Sequence, residues 1–302
     1  MSMSIWAKRA ILTFSFPVEE GLVVNFDDWE KLLHNAFYND LRLAPEEHLF
    51  CCIVAPHMPA AVRAKMVQIA FETFNVPGLL MPTADVLAAY PARDALVLSS
   101  GYDFAIISHV ANGISQQYTV CAGIGGKQVD SELKKAIPAL DGVNQMPLLE
   151  EVKQKLCFVS PYPLDKTQSI WEADGSRKRK LTDEVTVGSE VFECPEKVFF
   201  GSSSTLIHSL TEMVSTTGVS NIVLAGKNTL FPGLAQRLQR ECAFRGLTVQ
   251  VDARPERGIL AWQNASILFS TSHAQELASS KDFYDEYGPD VVEADWKAKQ
   301  IY

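Results

Sequence analysis

Positive charge is in short supply in this sequence. Against 36 Asp and Glu there are 27 Lys and Arg, for a formal net charge of -9. A chain with that balance does not coat nucleic-acid phosphates unless its cations gather on one face, so direct nucleic-acid binding is not expected. The only dense basic run, RKRK at 177–180, sits inside EADGSRKRKLTDE and reads as a solvated loop rather than an anion-binding or nuclear-import patch. The six cysteines (Cys51, Cys52, Cys121, Cys157, Cys194, Cys242) form no CxxC pair and no cluster with histidine at metal-ligand spacing. They read as reduced core residues of a cytosolic or nuclear protein, and no metal site is expected from them. No apolar stretch, including MSMSIWAKRAILTF at the start, is long enough for a signal peptide or a membrane span. No GxSxG motif occurs and the six histidines are scattered, which excludes the usual covalent hydrolase arrangements. Tandem repeats are also lacking.

What remains is a chain of 302 residues with 47% hydrophobic content, enough for two packed cores. Asp27 precedes a run with apolar residues at 29, 32, 33, 36, 37 and 41, and Glu30 completes a capping box, so a helix with one buried face is predicted there. FCCIVA (50–55) reads as a strand, and Pro59 opens a helix with Val62, Met66, Ile69 and Ala70 on one side, ending before Pro77. ALVLS, FAIISHV and ISQQYTVC, separated by SGYD and ANG, predict a three-strand meander. Helices are expected at 128–137 and 148–159, the latter with Leu148, Leu149, Val152 and Leu156 sharing a face. VTV and EVF flanking Gly188 and Ser189 carry the signature of a tight hairpin. NIVLAGKNTLFPGLAQRLQRECAFRGLTVQV (221–251) reads as strand, glycine loop, helix, a stop at Gly246, then strand: a βαβ unit. The polar tail after Ser272 is expected on the surface.

Two glycine-rich segments invite a phosphate reading. AGKNT (225–229) fails the GxxxxGK[ST] pattern, because position 221 is Asn and Asn228 stands where Ser or Thr would hold Mg²⁺. It reads as a strand-to-helix turn. AGIGGK (122–127) lacks both GxGxxG spacing and a later acidic partner, so it reads as a hinge or tight turn, although backbone N–H groups there could face an anion. The lone carboxylate of SSGYD (99–103) is most simply turn chemistry.

The phrases FPVEEGLVVNFDDWEKLLHNAFYNDLRLAPEEH, KMVQIAFETFNVP, KLCFV, FPGLAQRLQRE, PERGILAWQNASIL and KDFYDEYGP occur in the order and at the spacing found in actin, from about Lys8 to the end of the chain. The sequence thus resembles the actin family. The resemblance implies an α/β actin-like ATPase fold, with duplicated ribonuclease H-like domains in two lobes around a nucleotide cleft. It implies a first lobe from 1–91 and 263–302 and a second from 92–262 with an inserted subdomain near 128–196. The family's first phosphate loop and the flexible segment that locks neighbouring subunits have no counterpart here. The first lobe is therefore expected to be truncated, with the strand near 50–55 left as an open edge, to be completed by another chain or covered by Met1 to Ser15.

The resemblance also implies where a nucleotide would sit and what is lost there. The second phosphate loop, DSGDG in the family, becomes SSGYD: Ser99 and Tyr102 replace the two acidic residues that organise Mg²⁺ and the attacking water, and Asp103 replaces a glycine. The water-positioning glutamine falls on Ala84. In the adenosine motif, GKNTLFPG keeps Gly226, Pro232 and Gly233 but puts Lys227 in place of a glycine. Lys153 matches an adenine-side lysine, followed by Gln154 instead of an acid, and Gly258 stands where a lysine is expected. The residues left to contact a nucleotide are Gly101, Lys153, Gly226, Lys227, Leu230 and Phe231. Tyr90, Ile267, Leu268 and Leu277 match the apolar lining of the groove where family partners dock a helix, or else close the first lobe's core. The hydrophobic plug used in filaments, expected between Val198 and Ser209, is short, with only Val198, Phe199 and Phe200 strongly apolar before the next helix.

The resulting expectation is a non-catalytic actin-related subunit, structural or adaptor, of a cytoskeletal, ciliary or chromatin-associated assembly. It would have no catalytic residues and no cofactor, protein partners that include actin or actin-related subunits, no membrane, and a cytoplasmic or nuclear location. The alternative is a divergent actin-like protein that still binds ATP or ADP with Mg²⁺ and joins filaments. A third reading is an incomplete gene product or isoform.

Overall fold

A computed structural model describes residues 15–92, 94–141, 146–163, 179–180 and 186–298. A short hairpin opens it, β1 (Val18–Glu19) and β2 (Leu22–Val23), turning through Glu20 and Gly21, both at positive φ. Helix α1 (Phe26–His34) starts two residues earlier than the capping-box reading placed it. Asn25 is the cap, its Oδ1 accepting the Asp28 N–H at 3.0 Å, while Asp27 and Asp28 supply negative charge to the first turn. The helix then widens into a π turn, Asn35–Leu41, closed by Arg42 at φ 56°. Trp29 and Phe37 are buried as expected, whereas Leu32 in the α-helix and Leu41 in the π turn are exposed.

Strand β3 (Phe50–Cys51) is shorter than the apolar run that predicts it, although Cys52 and Val54 extend its pairing through N–H bonds to the Leu80 and Pro82 carbonyls. Pro59 caps α2 (Ala60–Gln68), which runs into a second π turn, Ile69–Thr73, and buries Met66, Val67, Ile69, Ala70 and Phe71. Strand β4 (Gly78–Leu80) and helix α3 (Ala84–Ala89) follow. The meander forms as predicted: β5 (Asp94–Ser100), β6 (Ala105–Ala111) and β7 (Ile114–Cys121), with Asn112 and Gly113 both at positive φ in the tight turn between the last two.

Helices α4 (Gly126–Ala136) and α5 (Met146–Lys155) come next. Strand β8 (Arg179–Lys180) pairs antiparallel with β9 (Thr186–Val187), so the second half of RKRK is strand; Arg177 and Lys178 lie outside the described residues. The predicted hairpin across Gly188 and Ser189 is not formed. EVF instead opens α6 (Glu190–Phe200): the Ser189 carbonyl accepts the Phe192 and Glu193 N–H groups, and the Glu190 carboxylate takes the Gly188 N–H at 2.6 Å. Acidic side chains in the first turn favour a helix start over a strand.

After α7 (Leu206–Thr217), the βαβ unit forms as read from β10 (Asn221–Ala225), α8 (Leu234–Phe244) and β11 (Gln250–Asp252), with Gly246 at φ 76° after the helix. The chain closes with α9 (Leu260–Phe269), α10 (His273–Leu277), β12 (Ser279–Ser280) and α11 (Lys281–Ala298), which is broken by a kink at Gly288, φ 77°. The tail is therefore not a surface appendage. Strand β12 extends a sheet, and Tyr284 stacks on Phe71 at 4.7 Å while donating to Glu72 at 2.6 Å.

The larger sheet has the order β11-β10-β5-β6-β7, with β10 and β11 parallel. The smaller is β12-β4-β3, in which β3 runs parallel and β12 antiparallel to β4. Among the described residues, β3 has a sheet neighbour on one side only. Two compact units result. One comprises Leu98–Ile107 and Thr119–Gly258, the other Ser15–Val97, Ser108–Tyr118 and Ile259–Tyr302. The first is filled by residues such as Leu133, Val152, Phe192, Phe199 and Leu238; the second by Trp29, Phe37, Phe71, Phe74 and Leu79. Each such side chain removed from water contributes about 1.5–3 kcal/mol. All six cysteines are free, and four are buried. Among the described residues no helix is long and apolar enough to cross a membrane.

Candidate functional site: a loop cluster at the strand ends

The chain leaves β5 to one side through β6 and β7 and returns on the other side in β10 and β11. In α/β sheets, ligands gather outside the carboxyl ends of strands where the order reverses in this way. Strands β5 and β10 end at Ser100 and Ala225, and both glycine-rich segments meet there. Gly226, at φ 86°, lies so close to the end of β5 that a Cβ would stand 2.3 Å from the Ser100 carbonyl oxygen. Only glycine fits, which is the reason for the glycine in AGKNT.

The next four residues, Lys227–Leu230, form a 3₁₀ turn held from both sides. Inside, the buried Asn228 donates from Nδ2 to Ser100 Oγ at 3.0 Å, and Ser100 Oγ donates to the Ile124 carbonyl at 3.3 Å. Outside, the Arg257 guanidinium donates through Nε and Nη2 to the Thr229 carbonyl at 3.2 and 3.0 Å, and the Arg257 carbonyl accepts the Gly226 N–H at 2.9 Å. Further on, Gly233 at φ 85° passes the Val159 carbonyl so closely that a Cβ would lie 1.9 Å from its oxygen.

The SSGYD loop is knitted to the AGIGGK segment in the same manner. The Gly101 N–H donates to the Phe104 carbonyl at 3.1 Å. The Gly101 and Tyr102 carbonyls accept the Gly126 and Lys127 N–H groups at 3.1 and 2.8 Å. Those two N–H groups open α4, and a helix N-terminus is where an anion would otherwise dock. Here the chain's own carbonyls occupy them. Gly125 permits the approach, since a Cβ on it would be 2.4 Å from the Tyr102 oxygen.

Beside this loop lies a small electrostatic network. Lys153 Nζ is 2.9 Å from Asp130 and 2.8 Å from Glu150, and the Tyr102 ring centroid lies 5.5 Å from it. Burial works against the lysine's charge, but the hydrogen bonds it donates to Glu150 and Asp130 outweigh it and hold the ammonium above its ordinary value. Burial, with the neighbouring Asp130 charge, pushes the Tyr102 phenol up.

All six residues expected to contact a nucleotide fall within this one compact unit. Gly101 and Gly226 sit in the knitted loops, Lys227 is exposed, and Lys153 is engaged in the ion pairs just described. Leu230 is exposed, whereas Phe231 is buried edge-on against Phe199 at 5.8 Å. Ser100 and Asn228 are the residues that sequence reasoning passed over as site members; the signal was Asn228 itself, noted only as a failed phosphate-loop serine. Ala84 opens α3 with its N–H bonded to the Val54 carbonyl, and its side chain is a methyl. Among the described residues, no group of three or more His, Cys, Asp or Glu side chains converges as a metal ion requires.

The four groove residues fall in the other unit and divide in two. Leu268 and Leu277 are core. Tyr90 is half-buried and Ile267 is 52% exposed. Helix α9 is pinned to α3 by Asn264, whose Nδ2 donates to the Leu87 and Tyr90 carbonyls at 2.7 and 3.0 Å. Trp262 projects away from that side and is 63% exposed, while Ile267, one turn from Asn264, is 52% exposed on the helix flank.

Layered α/β units with glycine-containing loops at adjoining strand ends are an arrangement in which ligands bind beyond the strands. The family model described as Actin matches residues 2–147 and 137–297, nearly the whole chain. The chain belongs to the actin family, as an actin-related protein with the mixed α/β fold of that family.

Proposed function

We propose that this actin-related protein is non-catalytic and serves as a structural or adaptor subunit of a cytoskeletal, ciliary or chromatin-associated multiprotein assembly. Its partners are other proteins, actin or actin-related subunits among them, and it works in the cytoplasm or nucleus without a nucleotide cofactor. The observation that carries this reading is the self-sufficiency of the loop cluster. The residues present do not fit a magnesium nucleotide. Ser99 and Tyr102 bring no carboxylate where the family organises Mg²⁺. The Gly101 N–H and the first N–H groups of α4 are already hydrogen-bonded within the chain. Lys153 is held by two carboxylates, and Ala84 has no group to orient a water. An adaptor role draws support from α9, where the large side chain of Trp262 is left 63% exposed.

Isothermal titration of the purified chain with ATP and Mg²⁺ tests the reading. No saturable heat is expected up to millimolar ligand. Micromolar, Mg²⁺-dependent binding would establish the second reading, a divergent ATP-binding protein able to join filaments, for which the retained Gly226 turn and the exposed Lys227 are the specific support.

A further inference from the structure

Asn228 is not among the residues that the resemblance places against a nucleotide, yet it is buried at the point where three loops converge. Its Nδ2 reaches Ser100 Oγ, 128 positions away in sequence, and Ser100 Oγ in turn reaches the Ile124 carbonyl, 24 positions further along. On the other side of the carboxamide, a Cβ placed on Gly126 would lie 3.8 Å from Asn228 Oδ1. A carboxamide is suited to this position because it is planar, donates and accepts at once, and costs dearly if buried without partners. Its environment is fixed from outside by Arg257 on the Thr229 carbonyl and by the Thr229 hydroxyl, which donates to the Gly226 carbonyl at 2.7 Å.

We propose that Asn228 is a built-in clasp, a positioning residue that links the 99–104 loop, the 122–126 loop and the 226–230 turn through Ser100 and holds them in one arrangement with no ligand present. The inference rests on the proposed non-catalytic reading, because a bound nucleotide would otherwise organise these loops. Backbone bonds already join the segments around Ser100 and Ile124, and the clasp couples that pair to a third segment, the 226–230 turn. Local opening of all three is then a single event rather than three.

Hydrogen exchange followed by mass spectrometry on the full-length chain tests this, using Asn228→Ala, Ser100→Ala and the double variant. Exchange in peptides covering 100–104 and 122–127 should rise together by about fivefold in each single variant, the amount that one buried hydrogen bond controls. The double variant should add little, and peptides of α7 should be unchanged. An increase confined to 226–231 in Asn228→Ala, or full additivity in the double variant, overturns the clasp. Should Asn228→Ala fail to fold, Ser100→Ala, which deletes one oxygen, decides alone: unchanged exchange at 122–127 overturns the proposal. The magnesium–ATP titration on wild type reports separately on the functional reading, so failure of one is distinguishable from failure of the other.

Discussion

The loop cluster at the ends of β5 and β10 and the outer face of α9 treat their surroundings in opposite ways. In the loop cluster many of the polar groups are bonded to another part of the chain: carbonyls accept the first N–H groups of α4, Asn228 bridges to Ser100, Arg257 closes the 3₁₀ turn, and two carboxylates hold Lys153. On α9 the inner face is fully committed through Leu260, Asn264 and Leu268, while Trp262 and Ile267 remain exposed. A site whose hydrogen bonds are internally complete gains little from a polar ligand, whereas an exposed aromatic and aliphatic pair gains from being covered. The two regions therefore differ in what a binding measurement at each should find, which is the contrast the proposed adaptor role rests on.

The sharpest way to break this comparison is to attack internal satisfaction where it is most buried. Arg237 lies in the same unit as the loop cluster, 2.7 Å from Glu196, with both side chains buried, and it also donates to the Ser160 and Tyr162 carbonyls. Arg237→Ala should cost about 3–5 kcal/mol, because it leaves a buried carboxylate without its partner; equilibrium denaturation measures it. Burial pushes the Glu196 carboxyl up from 4.5 to about 7, despite the opposing pull of Arg237. A folded-state value raised above the unfolded one means that this group's contribution is fully present below about pH 4.5 and is lost as pH rises through about 7. Glu196→Gln should therefore remove a decline in stability over that window, read as the difference between wild-type and variant denaturation curves. A constant difference from pH 4.5 to 8 would contradict it.

Next in size is Gly233→Ala. Its Cβ would sit 1.9 Å from the Val159 carbonyl oxygen at a positive φ, so the backbone must move, at about 3 kcal/mol. A loss below about 1 kcal/mol would show that the turn yields more easily than its geometry indicates. In the other unit, Tyr284→Phe removes only the hydrogen bond to Glu72 and keeps the stack on Phe71, so about 1 kcal/mol is expected.

Legibility in the sequence follows the range over which each feature is determined. The meander and the βαβ unit could be read because alternation, turn dipeptides and a glycine stop are local signals, and the glycines at 226 and 233 mark close backbone approaches, as their positive φ values confirm. The π turns at 35–41 and 69–73 could not, since widening a helix depends on what packs against it. The polar tail concealed β12 because two serines carry no strand signal, and their pairing with Gly78 and Leu79 is decided by the sheet they join. At the site, it was legible that Ser99 and Tyr102 carry no carboxylate. That the α4 N-terminus is capped by Gly101 and Tyr102 carbonyls was not, because a backbone oxygen has no sequence signature.

The smallest effect belongs to the exposed side of the comparison. Trp262→Ala deletes a large side chain that the fold leaves 63% exposed, so the denaturation midpoint should move by less than about 2 °C, corresponding to about 0.5 kcal/mol. The same change at a buried aromatic such as Phe192 would cost about 3–5 kcal/mol. Paired measurements on Trp262→Ala and Phe192→Ala therefore calibrate the contrast directly. If Trp262→Ala proves as damaging as the core variant, the outer face of α9 is part of the chain's own packing and cannot be the surface held for a partner. If it is silent for stability, the tryptophan is retained at a position where folding does not need it, which is the condition a docking surface must meet.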